Sequence, residues 1–364
     1  MSAVGAASVA TGKAMWARDR RALGRAAAAL MLSPLLGPAQ AEQRRLRLLL
    51  NTSLSGPVAF FLLAQDRGYL RDEGLDIVLS PGSGAAAIVP QVRHGAYDAG
   101  YGDMSALIER IARGAPEQGP VAIYTTFNVV PFTIAVAANG PIRVAKDLEG
   151  KRIVGHAGDA ALLTFDLYAR AAGIDSTQVT VLRSMQGMGS QVADMLAGDG
   201  ADAVFGFVNT IVASAAPLGI DGHKALRFLN FADHLPDMVG NTLFVTRELV
   251  QGDPAVLRGM VRAFNRALAD TVQDPDAAID ALLRHAPGAD RGVNRTRLVG
   301  TLKGEMAHPE GARIGIGDMD DARLARFIAL IVETKKLPRV PAPREVFDRS
   351  FLPPEAQRIR SLAR

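Results

Sequence analysis

At 364 residues the chain is long enough for two domains, and its 48% hydrophobic and 21% charged content describe a core-forming protein rather than a disordered one. Cysteine is absent, which excludes disulfides, thiolate metal sites and cysteine nucleophiles. The formal charge of +4 sits in the first 41 residues, which hold five bases and one acid; the rest of the chain has 36 of each sign, so a nucleic-acid partner or an anionic surface loses its electrostatic support.

Residues 1–41 read as an export signal. Lys13, Arg18, Arg20, Arg21 and Arg25 form a basic start, Ala26 to Leu36 an apolar run, and Ala39-Gln40-Ala41 a cleavage site ahead of Glu42. The pair Arg20-Arg21 before Ala22-Leu23 resembles a twin-arginine signal, while Asp19 in front of it leaves the general secretory route open. Bracketed by Arg25 and Pro34, the apolar run is too short to span a bilayer.

The folded region opens with a strand at Leu46-Leu50, a loop at Asn51-Pro57 and a helix over Val58-Gln65. Ser53 and Ser55 in that loop leave backbone N–H groups facing a crevice, or Ser55 simply caps the helix with Pro57 in its first turn. Gly68 supplies the positive φ that ends the helix, and Gly74 turns the chain into a strand at Leu75-Leu79. This strand-helix-strand order predicts a parallel sheet whose ligand crevice lies beyond the strands' carboxyl ends. The pattern repeats: Ser80-Gly84 loops into a helix at Ala85-Arg93, a strand at Tyr97-Met104 ends in Gly102-Asp103, a helix covers Ser105-Arg113, and a strand at Val121-Tyr124 ends at Thr125-Thr126-Phe127.

Phe132-Ala137 is expected to be a crossing strand, after which a second series begins at Ile153-Gly155. Its turn is His156-Ala157-Gly158-Asp159, its helix Ala160-Ala172, its next strand Val179-Leu182. A Met- and Gly-rich turn (Ser184-Gly189), a helix through Val192 and Met195, the strand Ala203-Phe207 and a helix holding Asn209 follow. Met238-Arg247 returns as a strand. The chain then turns helical at Pro254-Val272, Pro275-His285 and Asp318-Glu333, and its end is Pro- and Arg-rich.

Four stretches together resemble the nitrate/sulfonate/taurine-type solute-binding proteins of ABC importers, whose superfamily includes thiamine-pyrimidine precursor binders and synthases. They are Gly-Tyr-Leu-x-x-Glu-Gly-Leu-Asp-Ile at 68–77, Gly-Ala-Tyr-Asp-Ala-Gly-Tyr-Gly-Asp at 95–103, Val-Ala-Lys-Asp-Leu-Glu-Gly-Lys-Arg-Ile-Val-Gly at 144–155, and Asp-Ala-Val-Phe-Gly-Phe at 202–207. The resemblance implies an α/β type II periplasmic binding fold, two Rossmann-like lobes joined by two crossing strands near Phe132-Ala137 and Asn241-Val245, with a helical C-terminal region. Lobe 1 would comprise 44–134 plus 241–340, lobe 2 135–240, and a tail 341–364. It further implies a monomer in the periplasm that hands a small organic ligand to an ABC permease in the inner membrane, with no cofactor, metal, nucleic acid or catalysis. By position the ligand loops fall on Ser53, Ser55, Ser83, Asp103, Met104, Thr126 and Phe127 in lobe 1. In lobe 2 they fall on Gly158, Asp159, Gln186, Phe207 and Asn209.

Two departures bear on the ligand. Pyrimidine-precursor relatives carry an acidic residue two positions after the Asn of the last loop, where Ile211 stands, which argues against a pyrimidine. Asp159 would place its own carboxylate at a helix start that otherwise favours an anion, or act as that helix's N-cap. The sole Trp, Trp16, falls in the leader, so an aromatic wall would come from Phe127, Phe205, Phe207 or Tyr101. The six His show no metal-binding spacing, and only His156 falls at a strand end, as a surface residue or as the donor or base of a pyrimidine-synthase-like enzyme. That enzyme and a ligand-sensing receptor subunit are the alternatives to a transport receptor.

Overall fold

The computed structural model describes residues 43–115 and 118–362. The leader expected over residues 1–41, with its cleavage site and Trp16, lies outside the described residues. Two five-stranded sheets organise the rest. The first has the order β2-β1-β3-β10-β4, built from β1 Arg44–Leu49, β2 Leu75–Ser80, β3 Ala99–Asp103, β4 Val121–Thr125 and β10 Asn241–Val245. The second has the order β7-β6-β8-β5-β9, from β5 Phe132–Ala137, β6 Arg152–Gly155, β7 Thr180–Arg183, β8 Ala203–Phe207 and β9 Leu226–Asn230. β1 runs parallel to β2 and β3, and β6 parallel to β7 and β8, so the ends of these strands converge on one crevice per lobe. In each sheet the fourth strand is antiparallel to its neighbours and arrives from the other lobe: β5 in the second sheet, β10 in the first. The chain thus crosses over 126–131 and 231–240, and the two strands expected near the crossings are the first strands it forms after each crossing.

Local chemistry explains most boundaries. Gly68 and Gly74 hold φ of 72° and 71°, bracketing a short turn of helix, Tyr69–Asp72, that the sequence did not suggest. The helix expected over Ala160-Ala172 is two pieces, Ala160–Leu163 and Phe165–Ala172, because Thr164 Oγ1 bonds back to the Ala160 carbonyl at 2.6 Å and the chain bends there. Strand β9 was not expected, since Leu226 and Leu229 are its buried residues and three-residue spacing reads as helix.

The helices that follow β10 pack on the first lobe. Pro254–Gln273 buries Leu257, Met260, Val261, Phe264 and Leu268, and Phe264 meets Phe61 of the first helix, Ala59–Asp66, edge to face at 4.6 Å. The 66–77 junction is the seat of these helices. Glu73 takes two hydrogen bonds from Arg262, and Asp66 takes Arg284 and His285. Exposed pairs of this kind contribute at most about 1 kcal/mol each; they set register, while the apolar faces provide the stability. The chain's end covers the outer strand β4, with a bridge from Ala122 to Phe347 and both Arg349 and Arg358 on Asp318.

One buried cation joins the crossings. Arg323, in the helix Asp321–Thr334, has a side chain 5% exposed and pairs with Glu310 at 2.6 Å. Its Nη2 donates to the carbonyls of Asn128 in the first crossing and of Pro236 and Met238 in the second. Asn128 in turn donates to Glu310 and to the Asp318 carbonyl.

Removing one member of such a pair strands the other, so Arg323→Met should cost about 3–5 kcal/mol in chemical denaturation, with most of the loss recovered in Arg323→Met/Glu310→Leu. A second expectation concerns Asp103, which is fully buried and caps the helix Met104–Arg113 through the Ala106 N–H at 2.9 Å. Burial pushes its carboxyl up to about 7. Because the folded form holds its proton more tightly than the unfolded chain, stability is greatest in acid and falls as pH rises from about 4 to about 7, by roughly 4 kcal/mol at most. Asp103→Asn keeps the cap, so its melting temperature should decline less over that window and exceed the wild type's at pH 8.

Candidate functional site

A cleft of about 450 Å³ opens between the two sheets' carboxyl ends. The first lobe contributes the loop after β1 (Asn51, Thr52, Ser53 and Pro57), Ser83, Gly84 and Ala85 after β2, and Phe127 from the first crossing. The second lobe contributes His156, Asp159 and Ala160 after β6, Met185 and Met188 after β7, and Phe207, Asn209, Thr210 and Ser214 after β8. A third wall comes from a C-terminal arm, the helix Arg291–Gly300 and the wide i→i+5 turn Thr301–Glu305, which present Arg297, Thr301 and Glu305.

Glycine permits the lobes to touch. Gly84 sits at φ 130°, and a Cβ there would meet the Gly158 carbonyl oxygen at 2.5 Å. Gly82 is equally obligatory, since its Cβ would lie 2.0 Å from the Leu50 carbonyl where the loops after β1 and β2 pair. Across the cleft, Asn209 Nδ2 donates to Glu305 Oε1 at 2.9 Å and Arg297 Nη2 donates to Thr210 Oγ1 at 2.8 Å. The arm is therefore a first-lobe element bonded to the second lobe, and the Glu305 backbone carbonyl also accepts from Val129 in the crossing.

The electrostatics of the lining follow from burial. Glu305 is buried, and desolvation raises its carboxyl above the ordinary range, opposed by Thr301, Asn209 and Arg297 around it. Desolvation also lowers the Arg297 guanidinium, with Glu305 pulling it back up. No ion pair within 4 Å joins these two groups among the described residues. Asp159 is a helix cap, accepting from the Ala161 and Leu162 N–H groups at 2.8 and 3.4 Å, and desolvation raises it to about 6. It also lines the cleft. Capping and lining are both true of Asp159, and its carboxylate fills the anion-favouring helix end. Among the described residues no group of three or more His, Asp or Glu is arranged to hold a metal.

Of the residues expected at the site, Ser53, Ser83, Phe127, Asp159, Phe207 and Asn209 line the cleft. Gly158 stands at the contact between lobes. The others lie elsewhere. Asp103 and Met104 are buried at the helix cap and in the first lobe's core, and Thr126 is bonded to the Tyr101 hydroxyl at 2.6 Å. Ser55 is buried, caps nothing with its side chain, and the neighbouring Gly56 N–H is taken by Asn294 rather than left for a ligand. Gln186 is exposed and bonded to Asp194. Tyr101 and Phe205 are core residues, so Phe127 and Phe207 are the aromatic lining.

The arm was missed by sequence reasoning, yet Leu298, Leu302 and Met306 are buried at four-residue spacing, a helical stripe hidden by Gly300, Gly304 and a run of Arg. Its wide turn, a form that recurs at functional sites, points Glu305 at Asn209. Ile211, which stands where pyrimidine-precursor relatives carry an acid, is fully buried, and the acidic group beside Asn209 is Glu305 from the arm.

With this geometry the comparisons become specific. Residues 56–278 match the family described as NMT1/THI5 like. A 4-amino-5-hydroxymethyl-2-methylpyrimidine phosphate synthase of Legionella pneumophila is 25% identical over 250 residues, 67% of this chain and 74% of the relative. The riboflavin-binding protein RibY of Chloroflexus aurantiacus is 26% identical over 238 residues, 64% of each chain. The alkanesulfonate-binding protein SsuA of Xanthomonas axonopodis pv. citri, solved with bound MOPS, superposes with a TM-score of 0.63 at 17% identity, over 85% of this chain and all of that one. The chain belongs to the NMT1/THI5-like family and carries the two-lobed α/β fold of periplasmic binding proteins.

Proposed function

We propose that the protein is an exported receptor that captures one small organic molecule between its lobes and delivers it to an ABC importer. The observation that carries this reading is the cleft itself: it draws walls from both lobes and the C-terminal arm, has the size of a small-ligand site, and mixes Phe127, Phe207, Met185 and Met188 with convergent polar groups. Receptor-type closure suits such a site, because the ligand bridges two bodies that hinge at the crossings. No helix among the described residues is long and apolar enough to cross a membrane.

The two curated relatives handle a pyrimidine and a flavin, and the lining suits a planar nitrogen heterocycle. Phe207 offers an apolar face, while Asn51 and the Asn209–Glu305 pair offer acceptors and donors for a ring edge. The buried Asn51 Oδ1 has no partner within the protein, an acceptor left for a ligand donor.

A second reading, a pyrimidine-forming enzyme, is favoured by one feature: His156 lines the cleft together with Asp159, whose carboxyl desolvation raises to about 6. The two readings separate in the test tube. Native mass spectrometry of protein beginning at Glu42 should reveal one bound small molecule per chain, released unchanged on unfolding, and Phe207→Ala should weaken its binding by about tenfold or more in calorimetry. Release of a chemically altered product, abolished by His156→Asn, would replace the receptor reading with the enzymatic one.

A further inference from the structure

Arg297 is the only Arg or Lys among the described residues lining the cleft, and Glu305 acts on it through space without closing to an ion pair. Its Nη2 is fixed by the Thr210 hydroxyl of the other lobe at 2.8 Å, which sets the plane of the guanidinium. Its Nε is buried and meets no acceptor. Glu305 is near enough to act on it through space, yet no ion pair forms, and the Glu305 carboxyl already accepts from Asn209. Asp159, the other carboxylate in the lining, spends its oxygen on the N–H groups of its own helix. A cation held in a desolvated wall with a free donor is costly unless something else completes it.

We propose that the ligand carries an anionic oxygen group, a carboxylate or a phosphate, that seats on the Arg297 guanidinium where it lines the cleft. This rests on the receptor reading and adds to it the sign of the ligand. It also places the anion on the C-terminal arm, where a guanidinium supplies it, rather than at the second-lobe helix start, which Asp159 already fills. An anion there would touch a first-lobe group that is itself bonded to Thr210, so the same contact that binds the ligand draws the lobes together.

The probes are pyridine-3-carboxylate, its uncharged amide, and inorganic phosphate, measured by calorimetry and thermal shift on the chain beginning at Glu42. The wild type should bind the carboxylate at least about tenfold more tightly than the amide, and phosphate alone should raise the melting temperature saturably. Arg297→Met should lose the phosphate response and bind carboxylate and amide alike. Arg297→Lys should retain part of the preference. Equal binding of the two pyridines by wild type, a preference that survives Arg297→Met, or no binding of either anion would overturn the assignment. If uncharged compounds bind and anions do not, the receptor reading stands and the role of Arg297 falls. If nothing binds and nothing co-purifies, both fall.

Discussion

The guanidinium of Arg323 sits where both crossings between the lobes pass, and it holds carbonyl groups of each while Glu310 balances its charge. A two-lobed fold needs such a point. The connecting segments belong to neither sheet over their length, and their backbone groups have few ladder partners of their own. Paired on Asn241, Gly240 and Phe127, and bracketed by Arg323 from behind, the two segments become a single short ribbon about which the lobes are set. The helix that carries Arg323 lies beyond both α/β halves in sequence, so the junction of the crossings is completed only when that helix has packed.

The same logic extends to the cleft. Each lobe ends its parallel strands on a crevice, but two crevices facing one another make an open slot. The arm of residues 291–305 closes one side. It is anchored to the first lobe by Leu298, Leu302 and Met306 and by Asn294 on the Gly56 N–H, and it reaches the second lobe through Arg297 and Glu305. Burial there raises the cost of every charge, and the protein answers unevenly. Asp159 is compensated by helix N–H groups and Glu305 by an amide and a rising proton affinity, whereas Arg297 keeps an unused donor.

The parallel strands and their loops were legible in the sequence because apolar runs bounded by Gly, Ser and Asp mark strand ends regardless of tertiary context. The family resemblance put Ser53, Ser83, Phe127, Asp159, Phe207 and Asn209 on the loops at those ends, and all six line the cleft. Position fails where a side chain at a strand end has a local use. Asp103 caps the helix that follows it, Thr126 bonds Tyr101, and Ser55 turns into the packing beneath the first helix. Local periodicity also could not show that a polar, Gly-interrupted segment folds back over the cleft. Arg297 lies 87 residues beyond Thr210 and Glu305 96 beyond Asn209, and only the assembled fold brings them together.

The central claim is that ligand binding engages both lobes and the C-terminal arm as one site. Hydrogen–deuterium exchange, with and without the molecule that co-purifies, tests it most directly. The account predicts slower exchange on binding in four segments together: 51–57, 156–163, 208–215 and 291–305. Protection of the first three with 291–305 unchanged would contradict it.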